Sequence, residues 1–408
     1  MTHTMHSKDT FIRHIAITAC VLMSSGAAFG QIHEAGPDAA SDAQLARELR
    51  VGTMQSTQAT TAIPGLIATE DALQASVDPR ISLEGMAGSM IVPDLPEGYI
   101  VIQGDIQLSP AEQEAWKMSG PEAVFGAVNY WPVVVPYDFM SGVTASQQTA
   151  AVNAMNAIGQ RAGVVFRPAV AGDANRVRFQ ASTFNNSAVG MQGGTQIINI
   201  VSWNTQIIIV HELYHALGFW HEQSAFDRSS YVTINYGNVC GSSTVPGNAC
   251  NASVCNLCIN TGGTPISCAF NFDIVPAASV WGPYDFDSFM HYGRSAFSCN
   301  GQDTITVNTQ WNSQWQNAIG QRDHFSFIDT LSCRGLYPFS GDRWLRQGAG
   351  GSGVGSFVEP FNGSFNQAAG FTPQGGTLFV DPGTYSGVGI YTIPKTYRAT
   401  FGTVTIGN

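Results

Sequence analysis

Ile207-Ile208-Ile209-Val210-His211-Glu212-Leu213-Tyr214-His215-Ala216-Leu217-Gly218-Phe219-Trp220-His221-Glu222 is the stretch that decides how the rest of the chain is read. Its apolar entry predicts a buried helix, on which His211 and His215, at i and i+4, share one face with converging imidazoles. Two ligands for a zinc ion are thereby placed. Glu212 lies beside the first histidine, where a carboxylate can touch metal-bound water without being a ligand. Gly218 can take positive φ, end the helix and swing the chain back, so that His221 closes a third corner. Three neutral imidazoles leave one coordination position open, which marks a catalytic rather than a structural zinc. The expected cofactor is one zinc ion per catalytic domain.

The residue frequencies of the chain weigh this reading against chance. H-E-x-x-H would arise by accident in roughly one such chain in a hundred, and with Gly218 and His221 in place on the order of one in 10⁵. Histidines merely packed in a core helix are the bland alternative, and the spacing argues against it.

The chain has 408 residues, a soft prior for two or three domains at about 150 residues each. Lys and Arg number 18 against 29 Asp and Glu, the net charge is −11, and only 12% of residues are charged. A phosphate-tracking surface, and with it a nucleic-acid partner, is not expected. The acid is uneven: residues 31–120 carry 13 carboxylates and 4 bases.

Lys8, Arg13 and His14 precede the apolar stretch Ile15–Phe29, which ends in small residues before Gln31. This reads as an export leader, residues 1–30, too short and too weakly flanked for a membrane span, and no later segment approaches one. The expected location is extracellular. Seven of the 8 cysteines follow residue 239, with Cys240, Cys250, Cys255, Cys258 and Cys268 clustered. In an exported chain this insertion, 240–268, reads first as a disulfide-stapled loop, with a second zinc site at Cys255 and Cys258 as the rival.

Strand patterns fall at Tyr99–Ile102, Val133–Tyr137, Val164–Phe166, Val177–Phe179 and Gln196–Ile200, with helical spacing over 145–162 and a helix start at Ser109-Pro110. Strands, a long helix and a second helix suggest an α+β layer arrangement. Residues 341–408 alternate glycine-rich turns with short strands, as in Gly375-Gly376-Thr377-Leu378-Phe379-Val380. They read as a small Gly-rich β module of one or two solenoid coils behind a glycine linker. Trp344 and the tyrosines there suit surface or carbohydrate contact, unless they form the core of the module.

The zinc stretch runs on into Gln223-Ser224 and Asp227-Arg228, and Ser288-Phe289-Met290-His291-Tyr292-Gly293 follows; with Ile319-Gly320-Gln321-Arg322, Asp329, Leu336-Tyr337 and an opening at Trp131-Pro132, the chain resembles the astacin family of metzincin endopeptidases over roughly 125–340. The resemblance implies a two-lobed zincin catalytic domain, 123–340, with a twisted sheet and the zinc-binding helix in one lobe and an irregular second lobe. It makes Met290 the apolar floor of the site. Tyr292 becomes a switchable zinc ligand that swings off to bind the oxyanion, and Glu222 the carboxylate that meets the amino terminus of the mature enzyme, with a plain surface carboxylate as the alternative for Glu222.

Ile102-Gln103-Gly104-Asp105 resembles the latency motif of astacin prosegments, with Ile102 where an aromatic is typical. The resemblance makes Asp105 a zinc ligand of the latent form alone, with a plain turn aspartate as the alternative, and 31–122 an inhibitory prosegment. The implied activity is hydrolysis of a protein or peptide substrate by a secreted zinc endopeptidase made as a zymogen, with Glu212 as general base. The family's usual two disulfides cannot both form, since no cysteine lies between 21 and 239; Cys299 and Cys333 are the expected bridge in the second lobe. The alternative function is a secreted binding protein with an inactive zinc domain, acting through the cysteine-rich insertion and the C-terminal module; the intact ligands, Glu212 and Tyr292 argue against it.

Overall fold

The computed structural model describes residues 3–5, 95–113, 128–240, 268–275, 280–349, 353–387 and 391–407. The leader apart from 3–5, the acidic block at 31–94 and 114–122, the insertion at 241–267 and the centre of the glycine run at 350–352 lie outside the described residues. Two units result, Ile67–Asp329 and Met1–Leu66 with Thr330–Asn408.

Along the chain, β1 (His3–Met5) precedes β2 (Ile100–Ile102), β3 (Ile106–Leu108) and β4 (Val134–Phe139), then α1 (Ala145–Gly159), β5 (Val165–Pro168), β6 (Arg176–Ala181), β7 (Ser187–Ala188) and β8 (Thr195–Ile200). After α2 (Gln206–Leu217) come β9 (Val232–Ile234), β10 (Ile305–Val307), α3 (Thr309–Trp315) and α4 (Phe327–Leu336). β11 (Arg343–Leu345), α5 (Phe365–Phe371), β12 (Thr377–Val380), β13 (Gly383–Tyr385), β14 (Thr396–Ala399) and β15 (Val404–Ile406) complete the order. The mixed helix and sheet composition is that expected from the sequence. Among the described residues no helix is long and apolar enough to cross a membrane.

In the unit Ile67–Asp329, strands β5, β4, β6 and β8 form a wholly parallel sheet in that order. The period-2 pattern of β6 explains its orientation: Val177 and Phe179 are buried, while Arg178 on the opposite face grips the Asp138 carboxylate through two bonds of 2.7 and 2.6 Å. α1 starts at Thr144 in a capping box with Gln147, whose side-chain oxygen accepts from the Thr144 amide at 2.8 Å. Its buried residues Ala151, Ala154, Met155 and Ile158 recur at helical spacing, and the small pair lets α1 pack closely against α2.

β2 and β3 form an antiparallel hairpin, and β3 continues in parallel alongside β7. Ile102, Ile106 and Leu108 join Val189 and Val275 in one apolar cluster, with Ile100, Val128 and Trp220 against it. Full burial of a side chain of this size contributes about 1.5–3 kcal/mol, so the hairpin is held by its core as well as by its ladder. Gln107 adds a polar hook, donating to the side-chain oxygen of Asn186 at 2.6 Å and to the carbonyl of Ile197 at 3.2 Å. Beyond α2 the regular structure thins to the antiparallel pair β9 and β10, short 3₁₀ turns and α3.

In the other unit, β11, β12 and β14 pair in parallel, β13 pairs with β15 in parallel, and β1 adds an antiparallel strand to β15. Thr377 lies opposite Thr396 and Gly383 opposite Val404, so one strand pair stacks on the next after a single circuit of chain. α5, begun by Ser364 accepting from the Gln367 amide, has no counterpart among the sequence expectations. Of the two readings of Trp344, core and sugar contact, the core reading holds: its ring is fully buried and stacks on Phe379 with centroids 4.5 Å apart.

Candidate metal centre

α2 is apolar on nearly every face, and all its residues from Ile209 to Leu217 are buried. A helix so surrounded can carry polar side chains only where they meet partners. Its last turn closes at Gly218, with φ 111°, where the Gly218 amide donates to the His215 carbonyl and the Phe219 amide reaches back to Tyr214 at 3.0 Å. A Cβ on Gly218 would stand 2.8 Å from the Tyr130 ring, so both conformation and space demand glycine. The indole N–H of Trp131 donates to the Ala216 carbonyl at 2.9 Å and anchors the same turn. Past it the chain reverses and delivers His221.

The structure brings His211, His215, His221 and Asp105 together, with one potential ligand atom from each lying within 4.8 Å of the others. Nε2 of His211 and Nε2 of His215 are 3.2 Å apart. Two nitrogens each about 2.05 Å from one tetrahedral zinc stand about 3.3 Å apart, so the pair fits a shared ion. The Asp105 carboxylate lies 3.1 Å from His211 Nε2 and 3.2 Å from His221 Nε2, and 3.7 Å from His215 Nε2. Oδ1 of Asp105 and Oε2 of Glu212 are buried without a hydrogen-bond partner. Three converging nitrogens and the orphaned Asp105 oxygen are what a divalent cation would satisfy, and the residues present fit zinc.

Each outer nitrogen has its own acceptor. His211 Nδ1 lies 3.0 Å from the Phe289 carbonyl, His215 Nδ1 2.8 Å from the Phe219 carbonyl and His221 Nδ1 3.1 Å from Oε1 of Gln103. These contacts fix the tautomer that leaves Nε2 bare for a metal. Burial disfavours the protonated imidazoles, pushing His211 down to about 4 and His215 well below its ordinary value. Burial, reinforced by the negative charge of Asp105, raises the Glu212 carboxyl well above the usual range.

Tyr292 is buried beside His221, ring centroids 4.6 Å apart, and donates its phenolic O–H to the Gln103 backbone carbonyl. Met290 is buried, its amide donating to the Ser288 hydroxyl at 2.9 Å. The turn around it is pinned by Asp329, which accepts from the Ser288 hydroxyl at 2.6 Å and the Phe289 amide at 3.1 Å. Glu222 accepts from the Asp285 amide at 2.8 Å, and burial pushes its carboxyl up to about 8; the segment 114–127 lies outside the described residues. His291 is no part of the centre, its Nε2 facing the Tyr284 hydroxyl at 2.7 Å. Cys240 and Cys268 are disulfide-bonded.

One expectation fails. Cys299 keeps a free thiol, so its bridge to Cys333 is absent. Cys333 is fully buried on α4, whereas Cys299 sits half-buried in a turn whose amide is tied to the Asn238 carbonyl.

Residues that sequence reasoning misses are the ones that orient others. Asp329 is visible only as part of a motif, and Gln103 has no signal beyond its place beside Gly104-Asp105. The acceptors at Phe289 and Phe219 are backbone carbonyls, which every residue has.

With this geometry in hand, residues 125–246 and 268–338 match the family model described as Astacin, a peptidase family. The unmatched interval falls inside the cysteine-rich insertion. The chain is similar to meprin A subunit beta of Mus musculus, 29% identical over 242 residues that cover 59% of this chain and 30% of the meprin. It thus spans only about 30% of that relative's length. High choriolytic enzyme 1 of Oryzias latipes is 30% identical over 241 residues, 58% of this chain and 78% of the enzyme. Its solved structure aligns over 50% of this chain and 92% of its own with a TM-score of 0.41.

Proposed function

The chain belongs to the astacin family of peptidases, and from that premise we propose that it is a secreted zinc-dependent endopeptidase made as a latent precursor. The observation that carries the reading is the convergence of three histidine nitrogens and one carboxylate on a single point beside Glu212.

His211, His215 and His221 would hold the ion. Zinc so bound supplies Lewis-acid polarisation of a peptide carbonyl and brings the pKa of water toward 7. Glu212, adjacent to His211 and raised by burial, is the base that takes the proton of the attacking water and passes it to the leaving amine. Tyr292, whose O–H is held by the Gln103 carbonyl in the intact chain, is freed when that segment leaves and donates to the oxygen on which charge develops. Met290 and Asp329 keep the turn beneath His211 in place through Phe289. No covalent intermediate is required.

Latency rests on Asp105. Its carboxylate faces all three imidazoles where water would have to enter, and the hairpin that carries it is locked into the core by Ile102, Ile106 and Leu108. Gly104, with φ 80°, permits the approach, since a Cβ there would fall 2.7 Å from the ring of Phe297. Release of the segment up to about residue 122 uncovers the centre, and the N-terminal apolar stretch supports export. Residues 341–408 form an accessory β module in this reading, with the exposed Tyr391 rather than Trp344 available for surface contact.

The reading is tested by activating the full chain with limited proteolysis and assaying cleavage of denatured casein before and after stripping with phenanthroline. Activity lost on chelation and restored by one equivalent of zinc supports it; proteolysis undiminished after verified metal removal counts against it.

A further inference from the structure

The three ligand histidines differ in where their outer partners come from. The Phe289 and Phe219 carbonyls, which accept from His211 and His215, belong to the catalytic segment and remain with it after processing. The acceptor for His221 is the side chain of Gln103, which lies in the β2–β3 hairpin and leaves with the prosegment. An outer-nitrogen acceptor fixes a ligand's tautomer and ring orientation and raises its basicity.

Gln103 is built into this position. It is almost completely buried, its backbone takes φ 47°, a left-handed conformation uncommon outside glycine, and its carbonyl receives the Tyr292 hydroxyl. Oε1 also accepts from the Ser224 hydroxyl at 3.2 Å. Nε2 is buried with no partner, a loss of the kind that weighs against the folded state. The amide orientation is set by chemistry: a histidine that ligates through Nε2 carries its hydrogen on Nδ1, so only the oxygen end of Gln103 can face both His221 and Ser224.

We propose that Gln103 is a positioning residue for the metal centre, a prosegment side chain that orients His221 and so ties metal retention to the presence of the hairpin. The inference rests on the zinc reading above. It makes the prosegment a device for holding the ion as well as for blocking it: Asp105 meets the inner side of the triad while Gln103 secures the outer side of its third member. His221 is then the corner that loosens first on processing, and the precursor keeps zinc longer than the processed chain.

The test uses the intact full chain carrying Glu212→Gln, which prevents self-processing, loaded with one zinc and mixed with excess chromogenic chelator. Gln103→Met, similar in size and without an acceptor, is expected to release zinc about 10- to 100-fold faster than its parent. Gln103→Glu, which restores an oxygen facing His221, is expected to release it within about threefold of the parent rate. The visible spectrum of the cobalt-substituted protein should change in the Met variant and not in the Glu variant. Equal release from all three proteins overturns the proposal, as does a Glu variant that fails together with the Met variant. A parent that takes up no zinc overturns the metal reading and this inference with it, whereas a parent that binds zinc in a Gln103-independent way overturns this inference alone.

Discussion

Asp105 presents its carboxylate to Nε2 of His211 at 3.1 Å, although 106 positions separate the two residues in sequence. In the proposed latent form, a hard oxygen held so close to three neutral imidazoles takes the place through which a water molecule would reach the ion. Asp105→Ala should therefore give a full-length chain that hydrolyses a short fluorogenic peptide before any processing, at least about tenfold faster than the unprocessed parent, since one direct ligand is lost. A silent Asp105→Ala precursor with full zinc would show that steric cover, not ligation, enforces latency.

Glu212 is the proposed base, distinct from the proposed ligands. Glu212→Gln keeps the shape of the buried side chain and removes its ability to accept a proton. The activated variant is expected to retain its zinc, counted by atomic absorption, while casein cleavage falls by about 10²–10⁴-fold. Retained activity at parental zinc content would remove Glu212 as the base.

Gly218→Ala tests the reversal that delivers His221. The new methyl group meets the Tyr130 ring, and φ 111° is poorly tolerated by alanine. A drop of about 2 kcal/mol in unfolding free energy, read from urea midpoints, is expected. Zinc retention should fall with it, because the ligand beyond the turn moves. An unchanged midpoint would mean that the turn relaxes freely.

His324 supplies a pH-dependent contribution away from the centre. Its Nε2 lies 2.9 Å from the Asp287 carboxylate and its Nδ1 faces Asp323. The hydrogen bond to Asp287, with Asp323 adding, raises it from 6.5 to about 9. Because the folded value lies above the unfolded one, the stabilisation is complete below pH 6.5 and is lost as the pH climbs through 9. His324→Gln should thus cost about 1 kcal/mol at about pH 6, allowing for solvent screening, and nothing measurable at about pH 10. Parallel stability curves for the two proteins across that range would contradict it.

What the sequence makes legible follows from how chemistry is written in it. His211, His215 and His221 are readable because a helix repeats at fixed spacing and imidazoles are rare, and β4, β5, β6 and β8 because each is a short run rich in apolar and β-branched residues, with alternating burial in β6. Gln103 is not, since a glutamine has many uses and its place beside His221 depends on a contact between residues 118 positions apart. The Phe289 and Phe219 carbonyls carry no side-chain mark at all. Trp344 is open to two readings for the converse reason: a large aromatic looks the same in sequence whether it faces a sugar or Phe379. The Cys299–Cys333 pairing fails because sequence shows which sulfurs are present and not which of them bond.

The apolar cluster shared by the β2–β3 hairpin and the catalytic segment has a kinetic consequence. Ile102, Ile106 and Leu108 pack there with Val189 and Val275, so departure of the hairpin leaves the last two short of neighbours. Under the proposed processing, the molecule that works is not the one that folded: its dry interior is smaller, and an unfolded mature chain lacks the template against which that interior first closed. Once denatured, it should regain activity slowly or not at all unless the missing segment is supplied as a separate peptide, which makes maturation a one-way passage.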